Sequence, residues 1–154
     1  MFNSSCGIYT FRDTMIDYSK IKTINIKFVE NRARFVNPQL SPKLTDKLQQ
    51  KIASSTKLIR TNSDDAHIVV NSTITDYSVS TAAITTQQAT ANRLTVTVHV
   101  IIKNNVENKE QEFDVTRNFD FAASLSLDQA QTQLEDEILR NLTDEIFNHI
   151  FSNW

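Results

Sequence analysis

The stretch "NRLTVTVHVIIK", residues 92–103, is the feature that most constrains the fold. Leu94, Val96, Val98, Val100 and Ile102 take every second position, with Thr95, Thr97, His99 and Ile101 between them. A period of two puts the first set on one side of a β-strand and the second set on the other. No helix can gather the first set on one face. The chain must therefore hold a sheet with one apolar side, and something must cover that side.

The flanking segments continue the pattern. "AHIVVNSTITDYSV" places Ile68, Val70 and Ile74 on one face, and "EFDVTRNFDF" does the same with Phe113, Val115, Phe119 and Phe121. "NNVENKE" between the last two strands is a polar turn without glycine. Three strands in succession with no helix between them make an antiparallel meander the economical topology. Earlier, "KTINIKFVE" alternates Ile24, Ile26 and Phe28 with Thr23, Asn25 and Lys27, which predicts a fourth strand.

Two amphipathic helices supply the cover. In "SPKLTDKLQQKIASS", Ser41 before Pro42 reads as an N-cap with proline at the first helical position. Leu44, Leu48 and Ile52 then recur every fourth residue. The chain closes on a longer pattern capped by Ser126, with Asp128 at the positive end of the helix dipole. There Ala130, Leu134, Ile138, Leu142, Ile146 and Ile150 form the stripe, widened by Leu139 and Phe147. The expected fold class is α+β: a two-layer sandwich with a mainly antiparallel four-stranded sheet packed by two helices, in the order β-α-β-β-β-α.

Residues 79–92, "VSTAAITTQQATAN", contain no charge, no glycine and no proline. A flexible linker normally carries glycine, serine or charge. The segment reads as two strand extensions forming an exposed hairpin, with uncharged polar surface that would also suit docking against another protein.

Composition removes whole classes of chemistry. Gly7 is the only glycine in 154 residues. P-loops, dinucleotide fingerprints and the G-x-S-x-G elbow all need glycine where the backbone turns sharply or approaches a ligand. The lone Cys6 excludes an internal disulfide and a cysteine zinc cluster. His67, His99 and His149 share no ligand spacing, so no metal is expected. Glu135, Asp136 and Glu137 point in different directions on a helix and read as a solvated face rather than paired carboxylates. The sequons at Asn71 and Asn141 fall inside a strand and a helix and are discounted. No enzyme activity and no cofactor are expected, and no run approaches the ~18 apolar residues of a membrane-crossing helix.

Charge is unevenly spread. Residues 1–60 carry 11 Lys/Arg against 4 Asp/Glu, and residues 61–154 carry 5 against 14. Either the first half offers an anion-facing surface or the two halves fold together and neutralise each other. Lys43, Lys47 and Lys51 form an i, i+4, i+8 row on the first helix, near Arg32 and Arg34. Such a row is either a solvated helix face or a contact for phosphates. Overall acidity and the lack of aromatics among these cations argue against nucleic acid.

The stretch "SSCGIYTF" near the N-terminus, the segment "IKTINIKFVENRARFVNPQLSPKLTDKLQQKI", the strands "DAHIVVNSTITDYSVS" and "NRLTVTVHVIIKN", and the "FDF" aromatics together resemble the LptE family of lipopolysaccharide-assembly lipoproteins, in its Bacteroidetes-type branch. The likeness runs from Cys6 to the last helix. It implies a non-catalytic outer-membrane lipoprotein on the periplasmic face, which plugs and helps assemble the β-barrel LptD and contacts lipopolysaccharide in transit. By position, Cys6 matches the lipidated residue of that family, giving a membrane tether by lipid anchor. Asn3 stands where a lipoprotein signal places leucine, so "MFNSS" reads as a truncated or replaced leader. The resulting expectation is an N-terminal anchor segment over 1–20 and a single LptE-like domain over 21–154. Lys43, Lys47, Lys51, Arg32 and Arg34 are, from charge alone, the candidates for lipopolysaccharide phosphates. The alternative is a generic periplasmic lipoprotein binding module or transport-accessory protein without a barrel partner.

Overall fold

The computed structural model describes residues 16–85 and 88–152. In chain order these form β1 (Thr23–Ile26), β2 (Glu30–Asn31), α1 (Leu40–Ser55), β3 (Ile59–Arg60), β4 (Ile68–Thr85), β5 (Gln88–Asn104), β6 (Lys109–Ala122) and α2 (Leu127–Ser152). One sheet runs β3-β1-β4-β5-β6, with β2 pairing onto β4 as well. Both helices pack on the same face of it, so the α+β two-layer arrangement holds.

The sheet departs from the expected mainly antiparallel four-stranded form. It has six strands and is mixed. β4, β5 and β6 make the antiparallel meander, but β1 pairs parallel to β4 through Ile24↔Ile68 and Ile26↔Val70. The reason lies between them: α1 carries the chain back along the sheet, and a strand re-entering after a helical crossover runs parallel to its predecessor. β3 adds to β1 and β2 adds to β4, both parallel. Each spans only two residues, too few to show a period in sequence.

The alternation along β5 is obeyed. Leu94, Val96, Val98 and Val100 are fully buried, and Ile102 nearly so, while Thr95, Thr97, His99 and Ile101 lie on the uncovered face. On β4, Ile74 and Tyr77 both face the helices although they are three residues apart. A bulge at Thr75, where Ile74 opposes Val98 and Asp76 opposes Thr97, absorbs the extra residue. On β1 the alternation fails after Ile26. Phe28 is 60% exposed and Val29 is buried instead. The strand ends there, and the Val29 N–H donates to Thr45 Oγ1 on α1, turning the chain toward the helix layer.

α1 begins two residues earlier than the cap reading required. Ser41 lies inside the helix, buried, with its hydroxyl unpartnered, and Gln39 takes the N-cap position without a side-chain cap. Asn37 Oδ1 accepts from the Gln39 N–H just outside the helix. Pro42 sits in the first turn, where its missing N–H is not needed. The α2 cap is as expected. Ser126 Oγ accepts from the Gln129 N–H and Gln129 Oε1 accepts from the Ser126 N–H, a reciprocal capping box.

The glycine-free β5–β6 turn works because Asn108 adopts φ 54°, a region asparagine tolerates better than most residues. Asn104 Oδ1 accepts from the Val106 and Glu107 N–H groups and holds the turn. This turn lies at one pole of the fold. There Asn105 N–H donates to the His67 carbonyl, Lys22 N–H donates to His67 Nδ1, and Lys57 N–H at the end of α1 donates to the Tyr18 hydroxyl. The first residues described are therefore tied to that pole. The β4–β5 hairpin points to the other, where both helices begin.

Leu142 is fully buried on α2 and Ile84 is 68% exposed on the hairpin, so their truncations should differ sharply. Leu142→Ala is expected to cost ~2–5 kcal/mol in urea unfolding and Ile84→Ser less than ~0.5 kcal/mol. Comparable losses would contradict this placement of the core.

Candidate functional site

The two helices run parallel. Lys43 near the start of α1 meets Glu135 on α2, with Nζ 2.8 Å from Oε1, and Lys51 two turns on meets Asp144 at 3.5 Å. Lys27 likewise meets Asp64 at 2.7 Å. These three pairs join the basic first part of the chain to the acidic second part, so much of the charge asymmetry is settled between elements. The Asp64 carboxyl is held below its ordinary range, first by its hydrogen bond from Lys27.

The basic row is thereby divided. Lys43 is bound to Glu135, while Lys51 lies against Asp144 and 5.3 Å over the Phe147 ring. Arg32 donates to Glu30 at 3.1 Å, on the segment before α1. Lys47 and Arg34 are exposed and, among the described residues, have no ionic partner. Between α1 and α2 opens a groove of about 610 Å³, lined in part by Lys47, Lys51, Asp136, Arg140, Thr143 and Asp144. Arg32, Arg34 and Lys43 are not among its lining. Arg140, Thr143 and Asp144 escaped the sequence reading, because which face of α2 meets α1 depends on how the two helices rotate against each other. Their only trace is the i, i+4, i+7, i+8 spacing from Asp136.

The acidic triplet is dispersed as expected, with Glu135 on Lys43 and with Asp136 and Glu137 exposed. The histidines sit apart. His67 accepts from Lys22, His149 stacks on Phe113 at 4.5 Å, and His99 lies on the uncovered face of the sheet. Among the described residues no group of three or more His, Cys, Asp or Glu is arranged to hold a metal. Cys6 lies outside the described residues.

The uncovered face carries a ladder of side-chain pairs across β5 and β6: Arg93 to Asp120 at 2.7 Å, Thr95 to Asn118 at 2.8 Å, Thr97 to Thr116 at 3.0 Å, and His99 Nδ1 to Asp114 at 2.7 Å. The hydrogen bond from Arg93 depresses the Asp120 carboxyl. Beyond this ladder the hairpin extends on its own. β6 ends against Ala91, and β4 has no neighbour on its other edge past the β2 pairing, among the described residues. Ile84 is exposed in that extension, and Val79 is exposed on β4 opposite Leu94.

A family model described as "LptE: Lipopolysaccharide-assembly" matches residues 21–150. No curated protein matches the chain. Among solved structures, rare lipoprotein B from Shewanella oneidensis is similar with a TM-score of 0.57 and 14% identity, over 83% of this chain and 94% of that one. A minor lipoprotein from Acinetobacter baumannii gives 0.54 and 16%, over 86% and 94%. A hypothetical protein from Chlamydia trachomatis gives 0.55 and 12%, over 86% and 99%. Likeness at these identities is likeness of fold.

The ladder yields a measurable titration. His99 is raised above the ordinary imidazole value of 6.5, first by its hydrogen bond to Asp114 and further by Glu112, against some desolvation. Because the folded value lies above the unfolded one, the stabilisation is fully present below the unfolded value and is lost as pH rises through the folded value. Asp114→Asn should bring the His99 NMR titration midpoint down and flatten this part of the stability profile. An unmoved midpoint would show that the Asp114 contact does not act on His99.

Proposed function

The chain belongs to the LptE lipopolysaccharide-assembly family, and on that premise we propose that it plugs an LptD-type outer-membrane β-barrel, helps that barrel assemble, and contacts lipopolysaccharide on its way to the cell surface. The family is one of non-enzymatic, outer-membrane-associated lipoproteins. In this reading residues 1–20 form the anchor segment and residues 21–154 the working domain. Cys6 is acylated on the periplasmic face, and two or more chains give the stable hold that a single chain does not. No helix among the described residues is long and apolar enough to cross a membrane.

The observation that carries the plug reading is the opposition of the two poles. The first described residues are tied to one end, and the charge-free hairpin projects from the other. β4 alone has 18 residues, which at ~3.3 Å each span roughly 60 Å. A bilayer with its headgroups is about 40–45 Å thick. A body held at the inner leaflet by its first residues would therefore reach through a membrane-spanning barrel. Barrel lumens are polar, and an uncharged Thr/Ala/Gln hairpin enters one without desolvating a charge. Lys43, Lys47, Lys51, Arg32 and Arg34 remain the proposed contacts for lipopolysaccharide phosphates. Lys47 and Arg34 are the members whose charge is not already engaged.

Affinity capture from detergent-solubilised outer membranes tests the reading. The chain is expected to bring down a large β-barrel. The Thr81→Lys, Ile84→Lys variant should weaken capture at least tenfold while its unfolding midpoint stays unchanged. Capture of no barrel would favour the binding-module alternative. Separately, Cys6→Ser should abolish incorporation of radiolabelled palmitate into a chain expressed with a lipoprotein leader, and persistent labelling would remove Cys6 as the anchor.

A further inference from the structure

The groove between α1 and α2 pairs two helical stripes. Lys47 and Lys51 stand one turn apart on α1, while Asp136, Arg140 and Asp144 stand one turn apart on α2, with Thr143 beside them. Lys51 is the only one of the three cations with an ionic partner, Asp144 at 3.5 Å. Arg140 has Asp136 four residues before it on the same helix, yet no carboxylate comes within 4 Å of its guanidinium among the described residues. Its planar fork of donors is free for a ligand that can take two of them at once.

Thr143 supplies the second observation. It is 5% exposed, lines the groove, and its hydroxyl has no hydrogen-bond partner. A threonine inside a helix commonly returns its hydroxyl to the carbonyl four residues earlier. Thr45 does so with Ser41, and Thr132 does so with Asp128. Thr143 departs from that habit in the lining of the groove. A buried hydroxyl without a partner is a group waiting for an acceptor.

We propose that this groove is a binding subsite for a single phosphomonoester, held by the Lys47 ammonium, the Arg140 fork and the Thr143 hydroxyl, with Lys51 as the swing cation between ligand and Asp144. A phosphomonoester carries about −1.5 to −2 charge at neutral pH and three acceptor oxygens, which suits three cations and one hydroxyl donor. The carboxylates define what else fits. Asp136 and Asp144 repel a second anion and accept from hydroxyl groups, so the groove selects one phosphate next to hydroxyls over a polyphosphate. Its volume of about 610 Å³ lies within the ordinary range for small-molecule sites. The proposal rests on the reading of the α1 lysines as phosphate contacts. It narrows that reading to Lys47 and Lys51 and adds two residues from α2.

The test is an NMR titration of the full chain at fixed ionic strength, with inorganic phosphate, glucose 1-phosphate and glucose as separate probes, followed by vesicles containing lipopolysaccharide. Saturable shifts at Arg140 and Thr143 are expected with both phosphates, tighter for glucose 1-phosphate, and none with glucose. Arg140→Ala should weaken glucose 1-phosphate at least tenfold, and Thr143→Val, which keeps the side-chain volume, about fivefold. Competition by vesicles would assign the phosphate to a lipid headgroup, and absence of competition would assign it to a free ligand. No saturable shift with either phosphate, or equal affinity in both variants, would overturn the subsite. Barrel capture is measured separately, so losing the subsite leaves the plug reading standing, and losing the barrel leaves the subsite standing.

Discussion

The inward row of β5 is the constraint on which the rest of the fold depends. Leu94, Val96, Val98, Val100 and Ile102 present five consecutive apolar side chains to one side, in the centre of a sheet paired on both edges. That side must be covered along its whole length. The 26-residue α2 runs along it with Ile138, Leu142, Ile146 and Ile150 buried, and α1 covers the β1–β4 side with Leu44, Leu48 and Ile52. Everything else in the molecule is disposed around that requirement, including the bulge at Thr75 that keeps Ile74 and Tyr77 on the covered side.

Covering one face with two helices that each follow a strand of the same direction has an electrostatic consequence. β1 and β6 both end where the helices begin, so α1 and α2 run in the same direction and their like dipole ends lie side by side. Lys43–Glu135 and Lys51–Asp144 bridge the two along their length. These pairs are partly exposed and screened, so their value lies less in stability than in setting which faces of the helices meet. The same alignment leaves Lys47 and Arg140 facing the groove without partners. A parallel pair of helices with complementary charges at two levels is thus also a pair with a charged opening between those levels.

The sequence made the period-two and period-four features legible, because a strand or helix with one buried face must write its period into its residues. The meander β4–β5–β6, the core stripes of both helices and the Ser126 cap followed from that. The parts that failed to show are those where neighbouring chain, rather than periodicity, decides. β2 and β3 are two residues each and exist because β4 and β1 offer free edges. Phe28 fits the alternation of β1, yet it is exposed because Thr45 captures the next backbone N–H. Ser41 has the right chemistry for a cap and lies two residues too deep, since the helix begins at Leu40 to bury that side chain. The groove was invisible for a related reason: Arg140 and Thr143 acquire meaning only opposite Lys47.

The hairpin beyond Ala91 shows how a free edge can be kept both safe and available. Two strands alone are marginal in water, and an open edge without charge or proline is a template for pairing with other chains. Natural edges are commonly guarded by lysine, which would also obstruct docking. Here the guard is geometric. The register slips between Thr81 and Ala83 and again between Ala83 and Ile84, and successive bulges twist the strand away from the flat form that stacks edge to edge. Twist excludes indiscriminate pairing while leaving the surface uncharged, and a partner of matching curvature desolvates no charge there. The scarcity of glycine belongs to the same logic: with none between residues 79 and 92, the sequence there omits the residue whose backbone is freest.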